Sequence, residues 1–114
     1  FENQYKKKLP LTVVKPGNQS RRFTHIKDTV NVCFEAWKKN KCSHYSISNK
    51  ETYSIMKVAR LFKRKIKYIA PRLGERYKSS LSKKTLNNKI IQKFGRLSLK
   101  DYISSFIKGK NYEN

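Results

Sequence analysis

Short apolar runs and helical apolar spacings alternate along this chain, which predicts a domain of mixed helices and strands. Leu11–Val14 is a β-rich run that ends at the turn-forming pair Pro16-Gly17. Ile66–Ile69 alternates apolar and polar residues, as a second short strand would. We also predict extended backbone over residues 21–26, a strand over residues 44–48 and a turn at residues 49–51.

Two helices are predicted between the first strand and the second, in addition to a helix end at residues 1–5. Asp28 is placed to cap a helix or to lie at its positive start, and apolar residues recur at helical spacing from Thr29. These residues form an apolar stripe along one face of the helix, and such a stripe usually packs in the core. We therefore predict that its members are buried: Val30, Cys33, Phe34 and Trp37. The next helix, capped by Thr52 or Ser54, is predicted to bury Ile55, Val58, Leu61 and Phe62.

Two further helices are predicted near the end of the chain, separated by a glycine. The first follows Ser82 and stops at Gly95, a residue suited to the position just past a helix. Ser98 and Asp101 have the spacing of a capping box, so the last helix should start there. Its buried stripe is predicted to be Leu99, Tyr102, Ile103, Phe106 and Ile107.

The composition is strongly basic, with 28 Lys and Arg against 7 Asp and Glu and a net charge of +21. Such a charge is typical of proteins that bind nucleic acid or an anionic membrane surface. The lysines are spread along the chain among Asn and Ile residues, whose codons are also A/T-rich, so compositional drift is the preferred explanation of the charge and a selected polyanion-binding surface is the alternative. A small basic nucleic-acid-binding domain is therefore an alternative function, whereas non-specific nucleic-acid binding that vanishes near physiological salt would reflect the charge alone. Its tyrosines could stack on bases: Tyr5, Tyr45, Tyr53, Tyr68 and Tyr77.

Several other classes of protein do not fit the sequence. No apolar run approaches the roughly 18–20 residues of a membrane span, and the first residues are polar and basic, so we expect no membrane partner and a cytoplasmic location. Cys33 and Cys42 have no zinc or redox spacing, which predicts reduced structural thiols. His25 and His44 lack metal-ligand partners at suitable spacing and are expected to be structural.

Four segments in order resemble one enzyme family. Residues 17–28 read Gly-Asn-Gln-Ser-Arg-Arg-Phe-Thr-His-Ile-Lys-Asp, and residues 45–48 read Tyr-Ser-Ile-Ser. Residues 71–76 read Pro-Arg-Leu-Gly-Glu-Arg, and residues 94–103 read Phe-Gly-Arg-Leu-Ser-Leu-Lys-Asp-Tyr-Ile. This order resembles the substrate-binding region of extended short-chain dehydrogenases, the NAD-dependent epimerase/dehydratase family that includes UDP-glucose 4-epimerase.

The resemblance implies an α/β fold and an incomplete enzyme. Residues 1–114 would be the C-terminal, substrate-binding portion of an extended Rossmann-type short-chain dehydrogenase, with about four helices and several short strands. The dinucleotide-binding half would be missing. The parent would be a homodimeric NAD-dependent nucleotide-sugar epimerase or dehydratase, and this portion would bind a nucleotide-diphosphate sugar.

By the same resemblance, four residues would contact the substrate. Arg21 would approach the diphosphate and Arg72 would approach it from the opposite side, because a guanidinium can hold phosphate oxygens bidentately. Glu75 would accept hydrogen bonds from ribose hydroxyls, and Gly74 would let the backbone turn beside the ligand. Solvated arginines, and a Glu75–Arg76 pair, are the alternatives. Arg22 could add charge at the phosphate or face water.

The cofactor and catalytic elements of the family are not found in this sequence. It has no glycine-rich turn for NAD, so NAD is expected in the full-length parent and not on this segment alone. Tyr53 and Lys57 have Tyr-x-x-x-Lys spacing, but they follow the Tyr-x-Ile-x segment and are interpreted as neighbours on a helix. We therefore predict no catalytic residue and no catalysis by these residues alone. A standalone sugar-nucleotide-binding module is a third hypothesis.

Overall fold

A computed structural model describes residues 1–39, 45, 47–71, 73–74 and 93–109. This part of the chain forms two compact units, one from the described residues within 1–21, 53–79 and 100–114, the other from those within 22–52 and 80–99. The predicted mixed α/β class is confirmed. The described elements are α1 (Glu2–Lys6), β1 (Leu11–Val14), β2 (Ser20–Arg21), α2 (Ile26–Lys39), β3 (Tyr53–Ser54), α3 (Ile55–Leu61), β4 (Ile66–Ile69) and α4 (Leu99–Ile107).

The centre of the first unit is a parallel pair of strands, β1 and β4. Leu11 pairs with Ile66 and Val14 with Ile69. Leu11 and Val13 have no solvent exposure, which accounts for the alternating burial along β1. Both predicted strands are confirmed, and β1 forms the inner part of this unit because alternate side chains of a strand point to the same face.

Helix α3 packs beside this pair and is fixed at its start by a side-chain cap. The Ser54 hydroxyl accepts a hydrogen bond from the Lys57 backbone N–H at 3.1 Å, so Ser54 is the cap, one of the two predicted. Val58, Ala59 and Phe62 are buried. The predicted helix is therefore confirmed, with Phe62 just beyond its end as the largest of these buried side chains.

An aromatic cluster joins α1 and α4 to the end of α3. The Phe106 ring lies 5.8 Å from the Tyr5 ring and 6.1 Å from the Phe62 ring, centroid to centroid. Phe1 and Tyr5 also contact Phe62, at 5.9 and 5.8 Å. Ile103, which is on α4 like Phe106, is buried. The residues of α4 from Lys100 onward belong to the first unit, and there the inward face predicted for the last helix is confirmed.

In the second unit, α2 starts earlier than predicted. It begins at Ile26, and the Lys27 backbone N–H donates to Nδ1 of His25 at 3.1 Å. His25 therefore caps the helix, and Asp28 takes the other of the two places predicted for it, at the positive helix start. Asp28 lies inside the first turn, is buried, and accepts a hydrogen bond from the Leu97 backbone N–H at 3.3 Å.

The burial predicted for α2 is wrong. Its apolar stripe faces solvent, and Asp28 and Val32 are buried instead. At about 100° per residue, Val32 lies on the opposite side of the helix from the stripe. The stripe side chains are exposed by 56% at Val30, 56% at Phe34 and 75% at Trp37, and Ile26, on the same face, is exposed by 67%. Cys33 is also exposed, with a free thiol.

Asn49 hydrogen-bonds to three separate segments of the second unit. It is buried; its backbone N–H donates to Thr24 Oγ1 at 3.1 Å and its side-chain amide to the Leu97 carbonyl at 2.8 Å. Its Oδ1 accepts from the Glu51 N–H at 2.9 Å, which forms the predicted turn. The strand predicted just before it is not found at residues 45, 47 and 48, and the helix predicted after Ser82 lies outside the described residues up to residue 92.

Candidate functional site

Arg21 lies on a short strand that is held by one pairing strand and by the turn that precedes it. Strand β2 pairs antiparallel with β3, with Arg21 opposite Tyr53 and Ser20 opposite Ser54. The preceding turn is fixed to the first residues of α3, since Ile55 N–H donates to the Gln19 carbonyl and Met56 N–H to the Gly17 carbonyl, both at 2.9 Å. The backbone that carries Arg21 is therefore set by the strand pair and the start of α3.

The turn needs a glycine at one position. Gly17 has a φ of +79°, and a Cβ there would lie 2.9 Å from Cγ1 of Val13 and 3.0 Å from Cε of Met56. A side chain at this position would therefore be strained and crowded against β1 and α3. Gly17 therefore allows the turn to pack closely against β1 and α3.

The guanidinium of Arg21 makes one described hydrogen bond, to its own neighbour. Its Nη1 donates to the Ser20 carbonyl at 2.8 Å, and the side chain is half-buried. A guanidinium carries five N–H donors in a fixed fork, so this bond positions the group and leaves donor capacity for an anionic ligand. The arrangement can recognise a phosphate or carboxylate and supplies no acid or base.

A cation that the sequence analysis did not assign to the site lies near Tyr53, the residue opposite Arg21. Residues directly opposite on antiparallel strands project to the same face, so Arg21 and Tyr53 are side-chain neighbours. The Lys57 ammonium lies 5.0 Å from the centroid of the Tyr53 ring. Tyr53 is in β3 and Lys57 in α3, so their interpretation as neighbours on one helix is wrong. The Tyr-x-x-x-Lys spacing was the signal that pointed to this pair.

Arg22 has a structural role in the second unit. Its Nη1 donates to the backbone carbonyls of Asn49 at 3.0 Å and Lys50 at 2.6 Å. These bonds fix the turn at Asn49 to the residues before α2. Although adjacent in sequence, Arg21 and Arg22 therefore belong to different environments.

One of the other three predicted site residues lies in the described structure. Gly74 is in the first unit with a φ of +81°, and a Cβ placed there would have no heavy atom within 4 Å. It is therefore a glycine for its backbone conformation, with open space on its Cβ side. Arg72 and Glu75 lie outside the described residues.

Neither a metal cluster nor a membrane helix is found in the described ranges. No three His, Cys, Asp or Glu side chains of the described residues are grouped so that they could hold a metal ion. Among the helices described here, none combines the length and apolar character needed to cross a bilayer.

The fold is shared with nucleotide-sugar epimerase structures. UDP-glucuronic acid 4-epimerase from Bacillus cereus, in complex with UDP-glucuronic acid and NAD, aligns with 95% of this chain at a TM-score of 0.76 and 22% identity. Pal from Bacillus thuringiensis aligns with 94% at 0.75 and 21% identity. This chain has an epimerase-type fold. The predicted resemblance to NAD-dependent epimerases and dehydratases is thereby confirmed at the level of the fold.

The shared fold is only part of those proteins. The chain spans 38% of the Bacillus cereus epimerase and 36% of Pal. No protein-family model and no curated protein matches the sequence.

The glycines of this chain are not spaced as a dinucleotide site requires, although the Bacillus cereus structure contains NAD. A dinucleotide site needs glycines close together so that the backbone can approach the pyrophosphate. The four glycines here are far apart in sequence. The space beside Gly17 and Gly95 is filled by protein atoms, and Gly74 and Gly109 face open space without neighbours. No step through NAD is therefore assigned to these residues.

Proposed function

We propose that this chain is the nucleotide-sugar-binding portion of an NAD-dependent epimerase or dehydratase. The observation that supports this most is the placement of Arg21 on a backbone fixed by β3 and α3, within an epimerase-type fold. The epimerase that shares this fold was crystallised with UDP-glucuronic acid, a nucleotide-diphosphate sugar.

Arg21 would bind the diphosphate of that ligand. Its fork of donors matches pairs of phosphate oxygens, and the Lys57 ammonium near Tyr53 adds a second positive charge. Arg72 would contact the diphosphate from the other side, Glu75 would accept hydrogen bonds from the ribose, and Gly74 would allow the turn between them. NAD and the catalytic residues would come from the dinucleotide-binding part.

The test is a calorimetric titration of the 114-residue chain with UDP-glucuronic acid. Because hydrogen bonds to charged groups contribute about 1.5–3 kcal/mol, Arg21→Ala should weaken binding about tenfold or more. Arg21→Lys should restore part of the affinity, since it keeps the charge and loses the fork. Arg60→Ala, at an exposed arginine on α3, is the matched control and should bind as the unchanged chain does.

Equal affinity in the Arg21→Ala variant and the unchanged chain would remove Arg21 from the site. Absence of any UDP-glucuronic acid binding by the unchanged chain would contradict the proposed function itself.

A further inference from the structure

Two lysine-rich segments of the first unit lie together at one end of the pair formed by β1 and β4. Lys7 and Lys8 precede β1, and Lys63 and Lys65 precede β4. Because the two strands are parallel, both of their starts lie at the same end of the pair. The Leu11 backbone N–H donates to the Lys65 carbonyl at 2.8 Å, which fixes the two segments side by side.

The aromatic cluster carries two more cations of these segments. The Arg64 guanidinium lies 4.9 Å from the centroid of the Tyr5 ring, and the Lys6 ammonium lies 5.4 Å from that of the Phe106 ring. The two rings are 5.8 Å apart, so cations from different segments lie on neighbouring rings. The attraction between a cation and a ring face helps to hold both side chains in place. We call this set of six residues the basic end: Lys6, Lys7, Lys8, Lys63, Arg64 and Lys65.

Two of these lysines occupy positions that favour other residue types. Lys8 has a φ of +57° and Lys63 a φ of +52°, and each lies two residues beyond the end of a helix. Glycine or asparagine is usual at such a left-handed position, because other side chains are strained there. Asparagine codons are also A/T-rich, so compositional drift would supply asparagine as readily as lysine. Lysine at both positions therefore favours a selected charge over drift at the basic end.

The composition of the basic end favours a lipid surface as its partner. Its five lysines are exposed and Arg64 is half-buried, and Leu9, next to Lys8, is exposed by 50%. An apolar side chain among lysines suits a bilayer, because it can enter the interfacial region while the ammonium groups meet anionic headgroups. A flexible oligonucleotide can instead follow charge spread over the whole chain, and it gains nothing from Leu9.

We propose that the basic end is a docking surface for an anionic phospholipid membrane. The chain would bind the headgroups without crossing the bilayer. This differs from the expectation of no membrane partner, which rested on the absence of a membrane-spanning run from the sequence. Strand β1 leads away from the basic end to the turn at Gly17 that precedes Arg21, so membrane binding would leave the candidate site at the other end of the strand pair. The proposal does not depend on the proposed function.

The test is sedimentation of the 114-residue chain with vesicles of phosphatidylcholine, either alone or mixed with phosphatidylserine, at physiological salt. Binding is expected to the mixed vesicles only. Because each lysine near an anionic surface strengthens binding several-fold, replacing Lys6, Lys7 and Lys8 with Gln should weaken it about a hundredfold. Replacing the same three residues with Arg should retain the binding, since the charge is kept. Leu9→Gln should weaken binding about fivefold.

The second segment gives an independent variant of the same surface. Replacing Lys63, Arg64 and Lys65 with Gln should weaken vesicle binding as strongly as the first set does. Circular dichroism of each variant shows whether it is folded.

The matched control removes the same charge from α2, in the second unit. Replacing the exposed Lys27, Lys38 and Lys39 with Gln should weaken vesicle binding about threefold or less, because only the net charge is reduced.

Three outcomes would overturn the proposal. Equal binding to vesicles with and without phosphatidylserine would exclude recognition of anionic headgroups. An equal loss in the α2 control would show that net charge or α2, and not the basic end, determines binding. A hundredfold loss of oligonucleotide affinity in the variant lacking Lys6, Lys7 and Lys8, with no vesicle binding by the unchanged chain, would assign the basic end to nucleic acid. None of these measurements involves UDP-glucuronic acid, so failure of this surface and failure of the substrate site are distinguishable.

Discussion

At the scale of single residues, two constraints coincide at Gly95. Its φ is +75°, in the left-handed region, and a Cβ there would lie 2.9 Å from the backbone carbonyl oxygen of Ser48. A backbone atom cannot move aside as the end of a flexible side chain can. Gly109 has a similar φ of +65° but no heavy atom within 4 Å of its Cβ position.

These two glycines make a matched pair of substitutions. Gly109→Ala should lower the free energy of unfolding by about 1–2 kcal/mol, the penalty for a left-handed residue with a Cβ. Gly95→Ala carries the same penalty and a steric clash, so this substitution should lower the free energy of unfolding by roughly 2–4 kcal/mol. Urea unfolding of both variants measures the difference. Equal effects would show that the approach to Ser48 has no energetic consequence.

The residue that caps a helix was predictable from sequence for one helix and not for another. Ser54 was one of two predicted helix caps, because a hydroxyl followed by a helical apolar pattern is a local signal. Asp28 has the same signal, but its carboxylate is used by Leu97, far along the chain, and His25 caps the helix instead. No local pattern reveals that Leu97 N–H is the partner of Asp28.

At the scale of elements, one polar contact accompanies the aromatic cluster between α1 and α4. The Tyr102 hydroxyl donates to the Glu2 carboxylate at 2.7 Å. This hydrogen bond, together with burial and the negative charge of Glu2, raises the pKa of Tyr102 above its ordinary value of 10.0. The bond stabilises the protonated phenol in the folded chain.

The pH dependence follows from that direction. Stability from this contact should be fully present below pH 10.0 and should be lost as pH rises through the raised pKa of Tyr102, since the unfolded chain releases this proton first. Absorbance titration at the tyrosinate band, taken as the difference between the unchanged chain and Tyr102→Phe, measures this pKa. Glu2→Gln should move it back toward 10.0, and Glu35→Gln should not. A Tyr102 pKa at or below 10.0 in the unchanged chain would contradict the assignment.

The presence of a helix was easier to predict from sequence than which of its faces is buried. The apolar spacing along α2 correctly indicates a helix, yet the stripe it defines faces solvent. Periodicity reports that one face of a helix is apolar; it does not report whether that face is covered by the same chain or by a partner. Val32, isolated in the pattern, is the apolar side chain that α2 buries.

At the scale of the whole molecule, the net charge of +21 predicts attraction to any polyanion. We expect weak binding to single-stranded oligonucleotides that is independent of sequence. Its affinity should fall about a thousandfold between roughly 50 and 200 mM salt, as counterion release requires. Fluorescence anisotropy with two unrelated oligonucleotides measures both properties.

Two sets of charge substitutions give the control for this prediction. Replacing Lys6, Lys7 and Lys8 with Gln should weaken binding as much as replacing Lys63, Lys65 and Lys67, because spread charge creates no local site. Binding that survives at 200 mM salt, prefers one oligonucleotide, or depends on one cluster alone would instead favour the nucleic-acid-binding alternative.

The candidate site was predictable from sequence only as a set of separate segments. The arginine segment was recognised from its order of residues, and the structure places Arg21 of that segment on β2. The placement of Arg21 opposite Tyr53 depends on the pairing of β2 with β3, which brings together residues far apart in sequence. Short two-residue strands have too little pattern to predict such a pairing.

The parallel pairing of β1 with β4 also has a consequence for biosynthesis. Leu11 pairs with Ile66, so β1 leaves the ribosome well before its partner has been made. Until then its apolar side chains and unpaired backbone groups are open to other chains. Non-local contacts of this kind also form slowly. The nascent chain should therefore complete this unit only after β4 has emerged, and should need protection from aggregation, by chaperones or by rapid translation, during that interval.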